Sequence, residues 1–371
     1  MKDAALGLCA GHGPFGHRAQ RTGWATRLST RVHQPKGFLA LRIALLGAGM
    51  IEIPPQGYGA VERVIWELSQ ALQRRGHETV VLNKPHGGEY RFALWARREL
   101  SGWGAGRPEV VHVQTTGVGY LFSKLGPEFI YTSHSPYWID SRRDFSARWG
   151  RHCERAIARK ARGFIALSGR IAQAVSKVGG HAPQVIPNGI DADQFSPLAH
   201  ERTGKTVLSV GKISRVKAYD VVAKAIQGLP GTYYVLGDVQ DKEYAEELEE
   251  YLQVHVIRNP SNEEIRKRMA RADVFAHPSR SEAFSIAVLE GMASGLPIVG
   301  SEFCQDQVDG NGIIIEGSTV EGFRDALRDL LTDPQRRERM ALRSRALAVE
   351  RFSWDKVAEQ VERVYQAVLD G

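Results

Sequence analysis

Short apolar runs alternate with amphipathic stretches along most of this chain. The second half of the chain repeats the pattern of the first. In the first half, the apolar run RIALLGAG at residues 42–49 is followed by a loop, an amphipathic stretch ending near Gly76, and a second apolar run. The same order begins again at KTVLSVG, residues 205–211. A strand, a helix and a second strand in this order require a crossover connection, which favours parallel strands. The sequence therefore predicts an α/β protein of two doubly wound domains facing a central cleft.

The boundary between the halves falls in VIPNGIDADQFSP, residues 185–197, whose content of Pro, Asn, Gly and Asp is typical of a linker. We predict an N-terminal domain over residues 41–190 and a C-terminal domain over residues 191–352. Residues 1–40 are rich in Gly, Arg and His and lack hydrophobic periodicity, which predicts a disordered extension. An upstream start codon and an organelle transit peptide are the alternatives for this segment.

Composition and charge narrow the classes of function. The 371 residues are 43% hydrophobic and 25% charged, as in an ordinary globular protein, and no apolar run approaches the roughly 20 residues of a membrane-spanning helix. Most of the net charge of +7 comes from the first 40 residues, so a nucleic-acid partner is not expected. The three cysteines share no metal-like spacing, which favours a reducing, cytoplasmic compartment.

The stretch HPSRSEAFSIAVLEGMASGLPIVG, His277 to Gly300, carries the clearest chemical signal. It predicts a strand end and loop, then a helix that begins near Ser285 and ends near Gly295. Glu282 lies just before the helix, where unpaired backbone N–H groups suit a phosphate, and Glu290 lies inside the helix, where a carboxylate could accept hydrogen bonds from a ribose diol. The two carboxylates suggest a nucleotide-sugar site rather than a core helix.

Polar groups at other predicted strand ends extend this hypothesis. His134 ends an apolar run, and Lys212 and Lys217 flank a short loop directly after another. Because the carboxyl ends of parallel strands border the ligand crevice of open sheets, these side chains are candidates for the site. Two ammonium groups there could offset the negative charge of a departing diphosphate. A structural histidine and solvated lysines are the alternatives.

Glycines before the first predicted helix form a candidate phosphate loop at Gly57, Tyr58 and Gly59, because glycine lets the backbone approach an anion. A simple turn is the alternative. A dinucleotide fingerprint is not expected at Gly47 and Gly49, since the third glycine is missing and two prolines interrupt the turn.

Two further features leave alternatives open. Asp191 and Asp193 form an Asp-x-Asp pair, a possible metal motif, but they lie in the predicted linker, so metal binding is not expected. Residues 137–162 contain many arginines together with Trp138 and Trp149. This segment is either a solvated basic helix or a surface that contacts an anionic acceptor or a membrane.

Taken together, these motifs strongly resemble those of glycosyltransferase family 4, the retaining nucleotide-sugar enzymes of GT-B fold, and the resemblance runs roughly from Leu41 to Leu369. The stretches that carry it are PPQGYGAVERVIWELSQALQRRGHE, YTSHSP, VIPNGIDADQF, VGKISRVKA and PSRSEAFSIAVLEGMASGLPIV. The resemblance implies a hexosyltransferase-like enzyme (EC 2.4) and two Rossmann-like domains, with a C-terminal helix, residues 353–371, that returns to the first domain.

The resemblance also implies roles for individual residues. Gly57 to Gly59 would border the donor diphosphate, His134 would lie beside the transferred sugar, and Lys212 and Lys217 would contact the diphosphate. Glu282 would contact the donor sugar. Further donor contacts would come from Glu290 at the ribose, Arg258 near the base, and backbone amides around Phe284, Ser285 and Ile286.

The chain departs from the family pattern at a few places. Lys212 stands where arginine is usual, Ala218 replaces a common glycine after the second lysine, and Ala283 and Ser285 replace glycines on either side of Phe284.

The expected reaction is transfer of a sugar from a nucleoside diphosphate sugar to an acceptor with the anomeric configuration kept, through an oxocarbenium-like transition state. No covalent nucleophile is apparent, and the resemblance implies a front-face route that requires neither a metal nor a cofactor. A nucleotide-sugar epimerase and a non-catalytic sugar-nucleotide binding protein are the alternatives. The acceptor, whether small molecule, glycan or lipid, is open.

Overall fold

A computed structural model describes residues 20–22, 25–28, 40–55, 59–83, 88–134, 139, 145–179, 182–197 and 202–371. The first half of the chain forms one sheet flanked by helices. Its strands are β1 (Gln20–Thr22), β2 (Ala25–Leu28), β3 (Arg42–Leu46), β4 (Glu78–Leu82), β5 (Val110–Val113), β6 (Ile130–Ser133), β7 (Gly163–Ala166) and β8 (Gln184–Val185). Its helices are α1 (Ala60–Arg74), α2 (Gly88–Gly102), α3 (Thr116–Leu125), α4 (Phe145–Ala158) and α5 (Gly169–Gly179).

The second half repeats the arrangement. Its strands are β9 (Thr206–Val210), β10 (Thr232–Gly237), β11 (Val254–Arg258), β12 (Val274–His277), β13 (Ile298–Ser301) and β14 (Gly312–Ile315). Its helices are α6 (Tyr219–Ile226), α7 (Lys242–Glu249), α8 (Asn262–Arg271), α9 (Ile286–Ala293), α10 (Val320–Thr332), α11 (Pro334–Glu350) and α12 (Trp354–Asp370). Two short 3-10 helices, Arg215–Lys217 and Glu302–Gln307, lie close to the site described below.

Each sheet reverses its winding direction beside its first parallel strand. The strand order is β1-β2-β4-β3-β5-β6-β7-β8 in one sheet and β11-β10-β9-β12-β13-β14 in the other. All pairings in the second sheet are parallel, as are those from β4 to β8 in the first. The sheets therefore open a crevice between β3 and β5 and another between β9 and β12, where ligands of doubly wound proteins bind. The predicted α/β architecture is confirmed.

Strands β1 and β2 pair antiparallel with each other, and β2 pairs antiparallel with β4. Both strands lie within residues 1–40, for which the sequence predicted a disordered extension. The sequence analysis did not predict these two strands. The rest of that segment, apart from residue 40, lies outside the described residues.

Amphipathic patterning explains how the helices pack. In α1 the residues Val64, Ile65, Leu68 and Leu72 recur at helical spacing and are all buried. Burying each such side chain contributes roughly 1.5–3 kcal/mol. Side-chain N-caps fix several helix starts in the second half, because the cap oxygen accepts a bond from an otherwise unpaired N–H. These caps are Asp241, Ser261, Ser285, Thr319 and Asp333.

The last helix belongs spatially to the first half of the chain. In α12 the residues Trp354, Val357 and Val361 pack in one core cluster with Leu41 and Ile43. The chain passes between the halves in two adjacent segments, near residues 190 and 352, which a backbone hydrogen bond of 2.8 Å joins. The C-terminal helix therefore packs against the core of the first half of the chain.

Candidate active site

The loops after β9 and β12 bring together Lys217 and Glu282, which are 65 positions apart in sequence. Lys217 ends the 3-10 helix Arg215–Lys217, and its ammonium group forms an ion pair with the Glu282 carboxylate. Both side chains are largely shielded from water, with exposed fractions of 20% and 18%. Lys212 lies two residues beyond β9 and is half-buried. The structure therefore places three of the predicted residues at the switch point of the second sheet.

His277 completes this cluster and was not predicted as a site residue. It ends β12, is buried, and its Nε2 lies 3.4 Å from Oε2 of Glu282. Among the described residues, neither ring nitrogen forms a hydrogen bond of good geometry. A sequence signal existed, since a histidine directly follows the apolar residues VFA of a buried strand. Such a polar residue at a strand's carboxyl end points to the crevice.

Electrostatics keep Glu282 ionised. Burial alone would raise the pKa of this carboxyl, but the His277 ring and the Lys217 ammonium outweigh burial and lower the pKa to about 2. Burial lowers the pKa of His277, and the nearby Lys217 lowers it further, although Glu282 acts in the opposite direction. At neutral pH the cluster therefore contains an ionised Glu282 carboxylate beside a neutral His277 imidazole.

Helix α9 begins directly after this cluster, and its first turn is held firmly. Ser285 caps it by accepting a bond of 3.4 Å from the backbone N–H of Val288, and Gln307 donates to the Ser285 carbonyl at 2.8 Å. Phe284 is buried, with its ring centroid 6.0 Å from that of Phe352. The departure from glycine at Ser285 thus has a structural role, because the serine hydroxyl supplies the cap. Unpaired N–H groups at this helix start can bind an anion.

Glu290 lies inside α9 in a different environment. It is buried, and its nearest cation is Arg63 of α1, with Nη1 3.7 Å from Oε1. Burial raises the pKa of Glu290 to about 7, and Arg63 and Arg266 reduce this rise only in part. The Glu290 carboxyl group therefore holds its proton more readily than an exposed carboxyl group does, and in its protonated form it can both donate and accept a hydrogen bond. The contact with Arg63 also joins the two halves of the chain.

His134 follows β6 on the N-terminal side. Its Nε2 lies 2.6 Å from Oε1 of the buried Gln114. Burial lowers the pKa of His134 to about 4, so the ring is neutral at pH 7. The neighbouring His112 is likewise neutral, because burial lowers its pKa to about 3. The side chains of His112 on β5 and His134 after β6 are therefore uncharged hydrogen-bonding groups.

Arg170 was also missed by sequence reasoning, although it connects the two halves at the site. It lies in the first turn of α5 and donates from Nη2 to the backbone carbonyl of Glu282 at 2.6 Å. Next to it, the backbone N–H of Gly169 donates to Oδ2 of Asp306 at 2.8 Å. No local motif marks these residues, because their partners lie 112 and 137 positions away.

The remaining predicted residues are less closely associated. Arg258 ends β11 and donates to Glu249 at 2.8 Å, so its side chain is paired on the protein surface. Gly57 and Tyr58 lie outside the described residues. Gly59 is the residue before α1 and has a φ of 156°, and a Cβ atom there would lie 2.9 Å from Pro55. Glycine is therefore required at Gly59 for steric reasons, whatever else the loop does.

Asp191 and Asp193 form a turn rather than a metal-like cluster. Asp191 accepts bonds from the backbone N–H of Asp193 at 3.1 Å and from the side chain of Gln194 at 2.8 Å. Within the described ranges, no group of three or more potential metal ligands occurs. No helix in the described part of the chain is both long and apolar enough to cross a membrane.

Two family models match the chain. The model described as Glycosyltransferase Family 4 matches residues 59–194, and the model described as Glycosyl transferases group 1 matches residues 191–347. The two matches meet in the linker and include the site on both sides. The chain therefore belongs to glycosyltransferase family 4, a family of transferase enzymes. The predictions of the family and of the class of enzyme are confirmed.

Individual relatives agree with this assignment. A D-inositol 3-phosphate glycosyltransferase of Xylanimonas cellulosilytica is 31% identical over 212 residues, which are 49% of this chain and 50% of that protein. An MMP alpha-(1->4)-mannosyltransferase of Mycolicibacterium hassiacum is 29% identical over 318 residues, which are 75% of each protein. The matched region thus spans about half the length of the first relative and three quarters of the second.

Similarity of fold extends to solved structures. The crystal structure of Anabaena HepE in complex with UDP and glucose superposes with a TM-score of 0.68 and 18% sequence identity, covering 88% of this chain and 100% of that chain. At this identity the likeness concerns the fold alone, and it confirms the predicted GT-B architecture.

Proposed function

We propose that this protein transfers a hexose from a nucleoside diphosphate sugar to an acceptor and retains the anomeric configuration. The observation that carries the proposal is the buried cluster of Lys217, Glu282 and His277 in front of helix α9. Such a cluster combines fixed positive charge for a diphosphate with an ionised carboxylate for sugar hydroxyls. The UDP and glucose in the HepE complex are in keeping with this donor class.

The chemistry follows from where charge develops. As the bond between the anomeric carbon and the phosphate oxygen breaks, negative charge grows on the departing diphosphate and positive charge grows on the sugar ring. Lys212, Lys217 and the N–H groups at the start of α9 would stabilise the departing group. Glu282 would orient the sugar. Its carboxylate would also stabilise the positive charge of the ring, because a pKa of about 2 keeps Glu282 ionised.

Retention is proposed through a front-face route. The acceptor oxygen would form its bond to the anomeric carbon on the face that the diphosphate leaves, and the acceptor proton would pass to the departing phosphate oxygen. No base from the protein is needed for this transfer. His134 would contribute a hydrogen bond to the sugar, and contacts between the two halves, such as Arg170 with the Glu282 carbonyl, would exclude water from the site.

We also propose that the reaction requires no metal ion, because ammonium groups and a helix start can supply the positive charge that a divalent cation would give to a diphosphate. Turnover should then persist in excess EDTA. A loss of activity restored by Mg²⁺ or Mn²⁺ would contradict this part of the proposal.

A cytoplasmic location is proposed because the three cysteines show neither a disulfide-like nor a metal-like pattern.

The acceptor is proposed to lie at an anionic membrane surface that helix α4 contacts. On α4, Phe145 and Trp149 are 81% and 46% exposed, and Arg148 and Arg155 of the same helix are also exposed, as is Arg159 just beyond its end. Aromatic rings and arginines on one face are typical of helices that lie on anionic bilayers. Co-sedimentation with phosphatidylglycerol vesicles should occur at low salt and weaken at high salt. Equal binding to neutral vesicles, or none to either, would contradict this part.

The donor reaction is tested by incubating the protein with a panel of sugar nucleotides and candidate acceptors and analysing the products. Lys217→Ala should lower kcat/KM about 100-fold, the magnitude typical of removing one transition-state electrostatic contact. Lys224→Ala is the matched control, since Lys224 forms an exposed pair with Asp220 on α6. Donor conversion without an acceptor would indicate an epimerase instead, and binding without turnover would indicate a binding protein.

A further inference from the structure

A continuous set of buried polar contacts links His134 to the C-terminal helix. Gln114 lies 2.6 Å from His134 through its Oε1, and its amide nitrogen contacts the His112 ring, at 3.3 Å from Nδ1 and 3.4 Å from Nε2. His112 is held in turn by Tyr365 of α12 and by Thr132 of β6, each at 2.7 Å. The network therefore runs from the side chain predicted to contact the sugar to a helix at the far end of the sequence.

Gln114 has little freedom to move within this network. It directly follows β5, is only 1% exposed, and its backbone N–H donates to the carbonyl of Leu46 at 3.1 Å. The side chain thus cannot turn toward water. Because the amide nitrogen contacts the His112 ring, the amide oxygen is the atom that faces His134.

This orientation determines which nitrogen of His134 carries the proton. A neutral imidazole has one N–H group, and the ring is neutral because burial lowers the pKa of His134 to about 4. An amide oxygen can only accept a hydrogen bond. The proton therefore lies on Nε2, and Nδ1 has none.

We propose that Gln114 is a positioning residue of the site: its side-chain oxygen keeps the His134 proton on Nε2 and so leaves Nδ1 as the hydrogen-bond acceptor of this ring. The ligand group that such a nitrogen recognises is a hydroxyl of the donor sugar. This last step rests on the proposed function, whereas the position of the proton does not.

The network also gives α12 a role at the site. Tyr365 and Thr132 hold the His112 ring on both nitrogens, and that ring contacts the amide nitrogen of Gln114. Losing the Tyr365 hydroxyl would free one nitrogen of His112 and loosen the amide next to it. Tyr365→Phe should therefore weaken the preference of the His134 proton for Nε2. A change at Gln114 should weaken the same preference more strongly.

The proton position can be measured directly by ¹⁵N NMR of the histidine rings in the full chain at pH 7, with the His134 signals assigned from their loss in His134→Asn. The wild type should show His134 with the proton on Nε2. Gln114→Glu keeps an accepting oxygen and should preserve the Nε2 proton, whereas Gln114→Met has no acceptor and should give a mixture of both neutral forms. A proton on Nδ1 in the wild type, or an unchanged spectrum in Gln114→Met, would overturn the inference.

Kinetics supply the functional arm. Gln114→Met should lower kcat/KM for the sugar nucleotide about 10- to 100-fold, the usual effect of removing a partner that orients an active group. Gln360→Met is the matched control, since in the described part of the chain the amide of Gln360 donates to a carbonyl of its own helix, at 3.3 Å. Equal activity of Gln114→Met and the control would contradict a positioning role.

The NMR and kinetic experiments together show whether a negative result contradicts the inference about Gln114 or the proposed function. If the wild type turned over no sugar nucleotide, the proposed function would fail, while the NMR measurement on the protein alone would still decide where the His134 proton lies. If Gln114→Met did not fold, as judged by thermal unfolding, Tyr365→Phe would carry the test. An unchanged His134 spectrum in a folded Tyr365→Phe would then contradict the network.

Discussion

Glu282 and Glu290 are eight positions apart on either side of the start of one helix, yet their carboxyl groups behave in opposite ways. The pKa of Glu282 falls to about 2, and that of Glu290 rises to about 7. Burial raises the pKa in both cases. The difference therefore comes from the partners that each carboxyl group meets, and partners cannot be read from the sequence pattern alone.

The partners differ in number and distance. Glu282 has an ammonium group in direct contact and an imidazole at 3.4 Å, whereas the nearest cation to Glu290 is a guanidinium at 3.7 Å whose side chain is 40% exposed. A close, shielded pair stabilises a carboxylate strongly, while a half-exposed pair is weakened by water. Glu282 is thus suited to an electrostatic role, and Glu290 is suited to hydrogen bonding with hydroxyl groups.

The largest expected effect is on catalysis at Glu282. Glu282→Gln keeps the shape of the side chain but removes the negative charge that Lys217 and His277 stabilise, so kcat/KM should fall about 100-fold or more. Glu263→Gln is the control, because Glu263 forms an exposed pair with Lys267 on α8. Steady-state kinetics with the preferred donor would show the loss, and activity within about threefold of the control would contradict the role of Glu282.

Glu290 should affect stability in a pH-dependent way. Its folded-state pKa of about 7 lies above the ordinary value of 4.5, so its contribution is fully present below pH 4.5 and is lost as the pH rises through 7. Glu290→Gln should remove this loss, which amounts to at most about 3 kcal/mol. Urea unfolding of both proteins at pH 5 and pH 8 measures it. The variant should gain stability over the wild type between pH 5 and pH 8. If it showed no such gain, the raised pKa of Glu290 would be contradicted.

Glu282 should show the opposite dependence, which sharpens the comparison. Its folded-state pKa of about 2 lies below 4.5, so its contribution is present above pH 4.5 and is lost as the pH falls toward 2. Glu282→Gln should therefore flatten the acid side of the stability profile and leave the interval from pH 5 to 8 unchanged. Parallel profiles of the two glutamine variants would show that their environments do not differ.

The fold was largely predictable, because apolar runs and caps act over a few residues. The apolar run at residues 205–211 predicted β9, and the serine at 285 predicted the start of α9 together with its cap. The motif also indicated Lys217 and Glu282 as parts of one site. What the sequence could not supply was distance between remote residues. The contacts of Arg170 with the Glu282 carbonyl and of Arg63 with Glu290 arise only when the two halves meet.

A smaller effect is expected from Arg63. This guanidinium partly offsets the burial of Glu290, so Arg63→Gln should raise the pKa of Glu290 further, by less than about one pH unit because the pair is half-exposed. The carboxyl signal of Glu290 in ¹³C NMR, followed from pH 5 to 9, reports the shift. Arg74→Gln is a suitable control on the same helix, since Arg74 pairs with the exposed Asp355. A midpoint equal to that of the control would show that Arg63 does not act on Glu290.

The smallest effect concerns Ala218, which directly follows Lys217 and so helps to set the partner of Glu282. Ala218 has φ 52° and ψ 35°, a left-handed conformation that costs a residue with a Cβ about 1–2 kcal/mol and glycine almost nothing. Its methyl group, however, is fully buried, and losing it costs about 0.8 kcal/mol. Ala218→Gly should therefore change the free energy of unfolding by no more than about 1 kcal/mol, whereas Ala218→Val should destabilise by more than about 2 kcal/mol, because a β-branched residue fits this conformation poorly.

Urea unfolding of both Ala218 variants would measure the balance of these two terms. The near cancellation explains how alanine can occupy this left-handed position at little cost in stability. If Ala218→Gly kept its stability but lost activity in the manner of Lys217→Ala, the backbone at this position would matter by aiming the lysine at Glu282 rather than by stabilising the fold.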